Sequence, residues 1–245
     1  MDDHTTIIGL DAHKAEIYAT IKYWSGEEVE GVKFANTLPA LRKFVRKLRK
    51  QTKSRLKACY EAGPLGNGLK RDLEKLGIEV DVIAPSKIPK MPGDRVKTDK
   101  RDATKLARLY SADLLTVVHT PGEEEEAVRD LCRARGQATA CEKAAKHRLN
   151  KFLTRRSKRW HGTNWTLAHW KWIREQEFEY EADRFTYNFY VTEVQHLGEQ
   201  IATLDATIAA FSKRELYAKE VAMVRCFRGA DTTTAMVLVT ELAGF

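Results

Sequence analysis

Residues 6–35, "TIIGLDAHKAEIYATIKYWSGEEVEGVKFA", decide how the chain begins to fold. "TIIGLDAH" (6–13) is a short apolar run rich in β-branched residues that breaks at Asp11, which predicts a buried first strand. "AEIYATIKYW" (15–24) alternates apolar and polar residues, the period-2 signature of a second strand. "GEE" (26–28) supplies a turn before "VEGVKFA" (29–35), a third strand, so the opening is an antiparallel meander. The period then changes. "TLPALRKFVRKLRK" (37–50) places Leu41, Phe44, Val45 and Leu48 on one helical face. "RLKACYE" (55–61) is a fourth strand ending at Glu61, and "GNGLKRDLEKLG" (66–77) is a helix that stops at Gly77. "IEVDVIAP" (78–85) is a fifth strand. A loop holding Pro85, Pro89 and Pro92 leads to a helix from about Asp99 to Ser111.

Three meander strands followed by helix–strand–helix–strand–helix is the order of a ribonuclease-H-like α/β domain. Strand one pairs antiparallel with strand two, and the crossovers lay strands four and five parallel to it. Downstream of "HTPGEEEEAVRD" the character becomes helical. Residues 122–158 form one long helix with acids at its start and bases at its end, as the helix dipole favours. Residues 160–173 are dense in tryptophan. From Tyr187, the positions Tyr190, Val194, Leu197, Ile201, Leu204, Ile208 and Phe211 step by four and three, a heptad seam. Its partner is either the 122–158 helix or another subunit, and a second copy is the favoured expectation. The end, "FRGADTTTAMVLVTELAGF", is a loop and an apolar helix starting at Thr232–Thr234, with Ala235, Leu238, Val239 and Leu242 on one side. The expected organisation is a domain over 1–115, a helical coiled-coil region over 122–215, and the incomplete start of a further domain over 216–245.

The formal charge of +8 is clustered. "LRKFVRKLRKQTKSRLK" (41–57) and "KHRLNKFLTRRSKRW" (146–160) contain no acid. Such blocks suit phosphate backbones, the bland alternative being a solvated basic face. The candidate nucleic-acid contacts are Arg42, Lys43, Arg46 and Lys47 in the first block, and Lys146, Arg148, Lys151, Arg155 and Arg156 in the second. Lys14 and Lys97 lie beside the acids discussed below. Neither block has the broad apolar face of a membrane-surface helix. No apolar run approaches the roughly 20 residues of a membrane span, and the start does not resemble a secretory signal. Cys59, Cys132, Cys141 and Cys226 form no CxxC pair, which argues against a zinc ribbon or a disulfide framework and for a reducing cytoplasm. No phosphate-cradling glycine motif is present.

Against this positive background, four acids stand out. Asp11 closes strand one, Glu61 closes strand four, and Asp99 and Asp102 begin the last helix of the domain. Strands one and four are neighbours in the expected sheet, and the helix packs beside them, so the four carboxylates converge. Acids so placed raise each other's pKa. Hard divalent cations, Mg²⁺ or Mn²⁺, relieve that conflict, and two such ions about 4 Å apart assist phosphodiester chemistry. The plain alternatives are a turn role for Asp11 and helix capping for Asp99. His161 and His169, set among tryptophans, read as packing or base-stacking residues rather than metal ligands.

"IGLDAHK" (8–14), "YEAGPLG" (60–66), "VIAPSKIP" (82–89) and "KTDKRDATKLARLY" (97–110), in this order, resemble the DEDD transposases of the insertion sequence 110 family, also described as pilin-gene-invertase-like or bridge-RNA-guided recombinases. The resemblance continues through "VRDLCRARGQATACEKAAKHRLNKFL" (128–153) to "RCFRGADTTTAMVLVTEL" (225–242). It implies a RuvC-like N-terminal domain, a coiled-coil middle and a C-terminal domain carrying a nucleophilic serine. It makes Asp11, Glu61, Asp99 and Asp102 the metal-binding catalytic tetrad. The implied partners are DNA, a structured guide RNA and further copies of the chain, as a dimer or tetramer. The last serine is Ser212, so the serine implied after "RGADTTTA" is missing, and the expectation is a shortened chain without full recombination activity. The other readings are a stand-alone RuvC-like nuclease and a non-catalytic RNA-binding regulatory fragment.

Overall fold

The structure, a computed structural model, describes residues 4–24, 29–89 and 98–242. Pro92 and Lys97 lie outside them, as does the 26–28 turn. The chain divides into two compact units, residues 1–120 and 121–245.

In the first unit, β1 (Thr5–Ala12), β2 (Glu16–Lys22), β3 (Val29–Ala35), β4 (Arg55–Glu61) and β5 (Glu79–Ile83) form one sheet in the order β3-β2-β1-β4-β5. β1 is antiparallel to β2 and parallel to β4, and β5 is parallel to β4. This is the ribonuclease-H-like arrangement, with β1 and β4 side by side at the centre. Side-chain alternation divides the sheet into two cores. Ile8 and Leu10, with Leu56, Ala58 and Tyr60, pack beneath α1 (Leu38–Gln51) and α2 (Gly68–Lys75). Ile7 and Cys59 face α3 (Asp99–Ser111), meeting Leu106, Ala107 and Tyr110. By the same period, Asp11 and Glu61 point to the α3 side.

Two glycines permit this packing. A Cβ on Gly9 would lie 2.2 Å from the Ala103 carbonyl oxygen and 2.5 Å from the Ala107 nitrogen, so α3 lies directly on the β1 backbone. Gly77 ends α2 with φ of +78°, a conformation that Cβ-bearing residues avoid. Arg49 then donates to the carbonyls of Leu76 and Gly77.

The second unit is built on α4 (Glu123–Arg155) and α6 (Glu181–Phe211), which run antiparallel, joined through α5 (Leu167–Arg174). At one end Leu149, Phe152 and Leu153 of α4 meet Tyr187 and Val194 of α6 together with Ile173 and Phe178. At the other end Val128 and Cys132 meet Ile208, and α7 (Glu215–Arg225) and α8 (Thr232–Glu241) complete the core with Tyr217, Val221, Ala235 and Met236. Bidentate pairs fasten it: Arg135 to Asp205 and Arg133 to Glu241. Of the two partners considered for the α6 seam, α4 of the same chain covers it. The α8 face differs from the sequence expectation. Ala235, Met236 and Thr240 are buried, with Val239 packed beside them, whereas Leu238 and Leu242 are exposed. Asp231 caps the helix by accepting from the Thr234 nitrogen at 2.7 Å.

The tryptophan-rich segment forms a nest around His169. This imidazole is only 1% exposed, stacks on Trp172 and accepts a hydrogen bond at Nδ1 from the Trp165 backbone. Burial pushes its pKa below the usual 6.5, and its ring packs among Trp160, Trp165 and Trp172. His161 is exposed. Cys59 and Cys132 are buried, while Cys141 and Cys226 are exposed.

Candidate metal centre

The last paired residues of β1 and β4 are Leu10 and Tyr60, so Asp11 and Glu61 follow at the same level on adjacent strands. α3 crosses β1 at Gly9 and begins with Asp99. Asp102, three residues on, lies on the same helical side. The capping alternative for Asp99 does not hold, because Thr98 is the N-cap and its hydroxyl accepts from the Arg101 nitrogen at 3.3 Å. Nor is Asp11 a turn residue: it lies inside β1, opposite Tyr18.

The ligand atoms of Asp11, Asp99 and His13 lie within 4.8 Å of one another. His13 Nε2 is 3.5 Å from Asp11 Oδ1 and 3.8 Å from Asp99 Oδ1. Glu61 and Asp102 are outside this compact set, though both press on Asp11. Burial first, then Asp99, Asp102 and Glu61, raises the Asp11 pKa, and His13 opposes them. His13 is not among the ligands expected from the sequence. Its signal was its place in "DAH", two residues after Asp11, the spacing that keeps side chains on one side of an extended chain.

The residues present suit a hard divalent cation. They offer carboxylate oxygens from two rigid elements, one of them frustrated by its anionic neighbours, and an imidazole at the rim. A cleft of about 690 Å³ opens beside them, lined by Asp11, His13, Lys14 and Glu61.

The candidate cations fall into two groups. Arg42, Lys43 and Arg46 are exposed along α1, and Lys47 pairs with Glu30 at 3.2 Å. Lys14 is exposed in the turn after β1, and Lys97 lies outside the described residues. In the second block, Lys146 pairs with Glu142 at 2.8 Å and lies over the Trp165 ring. Arg148 pairs with Glu193 at 2.5 Å, and Arg156 binds Asp183 through two hydrogen bonds. Those three serve the helical scaffold, while Lys151 and Arg155 remain exposed.

A ribonuclease-H-like sheet bearing acids at the ends of β1 and β4 and at the start of the covering helix defines a DEDD-type nucleic-acid-processing domain. Residues 8–157 match the IS110-type DEDD family model, described as a transposase. The chain is 36% identical over 242 residues to the transposase for insertion sequence element IS1533 of Leptospira borgpetersenii, an alignment covering 97% of this chain and 70% of that protein. It is 40% identical over 185 residues to y4qE of Sinorhizobium fredii (strain NBRC 101917 / NGR234), also named as a transposase, covering 75% of this chain and 44% of that one. The chain belongs to the IS110 family of DEDD transposases.

Proposed function

We propose that these residues are the nuclease-like and nucleic-acid-binding portion of an RNA-guided DNA recombinase of a mobile element. The observation that carries the reading is the meeting of Asp11 and Asp99, brought from a strand end and a helix start to cation-binding distance. Asp11, Glu61, Asp99 and Asp102 would hold Mg²⁺ or Mn²⁺, which when bound supplies Lewis-acid assistance to phosphodiester cleavage. The chain's own residues orient the substrate. The β1–β4 pair and α3 fix the carboxylates, and the exposed α1 cations bind phosphate. Recognition of a structured guide RNA fits the same face, because a polyanion needs dispersed cationic contacts. No serine follows Ser212 in this sequence, so strand joining would draw on a nucleophile outside these residues. Homo-oligomerisation would use the part of α6 left open by α4, where Phe185 and Phe189 are 70% and 64% exposed. The free cysteines suit a reducing cytoplasm.

The test is nicking of supercoiled plasmid with Mn²⁺, compared between the chain and Asp11→Asn. Cation-dependent nicking lost in the variant supports the site and the nuclease reading. Tight guide-RNA binding without nicking transfers the reading to a regulatory fragment. Failure to bind either nucleic acid overturns the proposal.

A further inference from the structure

The acids occupy one end of the sheet, and a second cleft opens at the other end, where β1 and β4 begin. Thr5 and Asp11 bound the two sites, about 20 Å apart along the strand. The second cleft has a volume of about 450 Å³ and is bordered by His4, Trp24, Thr52, Lys53, Ser54 and Arg55. Trp24 follows β2 and is 50% exposed, yet its ring stacks on His4 with centroids 4.8 Å apart and planes within 23°. The indole is therefore a backed plate with much of its surface open.

The floor is polar and fixed. The Ser54 hydroxyl is 2.6 Å from that of Thr6 and 2.8 Å from that of Thr52. Arg55 is held by Glu79 at 2.5 Å, and its backbone nitrogen donates to His4. Lys53 is exposed and, among the described residues, has no carboxylate partner. α1 runs into this cleft. Arg42, Lys43, Arg46 and Lys50 form one exposed stripe along its roughly 20 Å, and none is ion-paired among the described residues. The helix ends at Gln51, on the rim.

A line of cations leading to an aromatic plate matches a polyanion with free ring faces. Duplexes stack their bases on each other and offer no face to Trp24. An apolar peptide would meet hydroxyls and an unpaired ammonium. We propose that this cleft is a subsite for an unpaired nucleotide of a single-stranded nucleic acid. Its base stacks on Trp24, its phosphate meets Lys53, and neighbouring phosphates follow α1. The inference rests on the nucleic-acid-binding reading above and is independent of the acids.

The test measures, by fluorescence anisotropy, binding of the full chain to labelled dodecathymidylate, to dodecauridylate, to a fully abasic dodecamer carrying the same phosphates and to a twelve-base-pair DNA duplex. The base-bearing strands should bind about five- to a hundred-fold more tightly than the abasic one. Trp24→Ala should abolish that preference, Trp24→Phe should keep most of it, and Lys53→Ala should weaken all strands alike. Preference in the thymidylate arm assigns DNA and in the uridylate arm RNA, and either supports the subsite. A preference unchanged in Trp24→Ala with native circular dichroism, or no preference in the parent chain, overturns it. If a duplex binds while base preference is absent, only this inference falls. If duplex and single strands all fail to bind, the nucleic-acid reading itself falls.

Discussion

Asp11 is held in an unfavourable place. It is half-buried, it lies beside Asp99, and its pKa is raised because folding costs its charged form solvation and adds anionic neighbours. Asp11→Asn removes that conflict, so the cation-free variant should be more stable, by roughly 1 kcal/mol. Thermal unfolding checks this directly. Mn²⁺ should raise the midpoint of the parent chain, as any ligand of the folded state does, and leave the variant unmoved. His169 gives the opposite sign. Its folded pKa lies below its unfolded value near 6.5, so its stabilisation is complete above that value and is lost as pH falls from there through the lower folded pKa. Urea unfolding at pH 7.5 and pH 5 should show a lower free energy at the acid end. His169→Gln should flatten that difference.

At the scale of elements, the contact between β1 and α3 sets the site. Gly9→Ala puts a methyl group against two backbone atoms of α3 that cannot rotate away. It should cost about 3 kcal/mol in denaturant unfolding and weaken Mn²⁺ binding, because displacing α3 carries Asp99 from Asp11. This junction also shows what the sequence made legible. The β-branched run ending at Asp11 and the order of meander strands followed by alternating helices and strands are local patterns, and they foretold the sheet, its order and the helix above it. The shape of the acid cluster depends on long-range balance between repulsion and burial. Four acids were legible, but the closeness of Asp99 to Asp11, the exposure of Glu61 and the nearness of His13 to both aspartates were not. The pairing within the second basic block was hidden for a related reason. Its acid-free run is real, yet Asp183 and Glu193 come from α6, far along the chain, to neutralise Arg156 and Arg148.

For the molecule as a whole, the excess of +8 is usable for binding only where cations remain unpaired, and α1 is the clearest such tract. Replacing Arg42, Lys43 and Arg46 together with alanine should lower the slope of log affinity against log salt by about two for a single strand. Titrations at several salt concentrations read that slope, and an unchanged value would move the binding face elsewhere. Among the described residues, no helix is long and apolar enough to cross a membrane. The four thiols carry a practical consequence of their placement. Cys141 and Cys226 are open to reagents and both belong to the second unit, whereas Cys59 is sealed beneath α3. A maleimide dye added to the native protein therefore tags the helical unit alone. Slow later modification at Cys59 then acts as a clock for transient lifting of α3 from the sheet, timing the opening of the acid site without any substrate present.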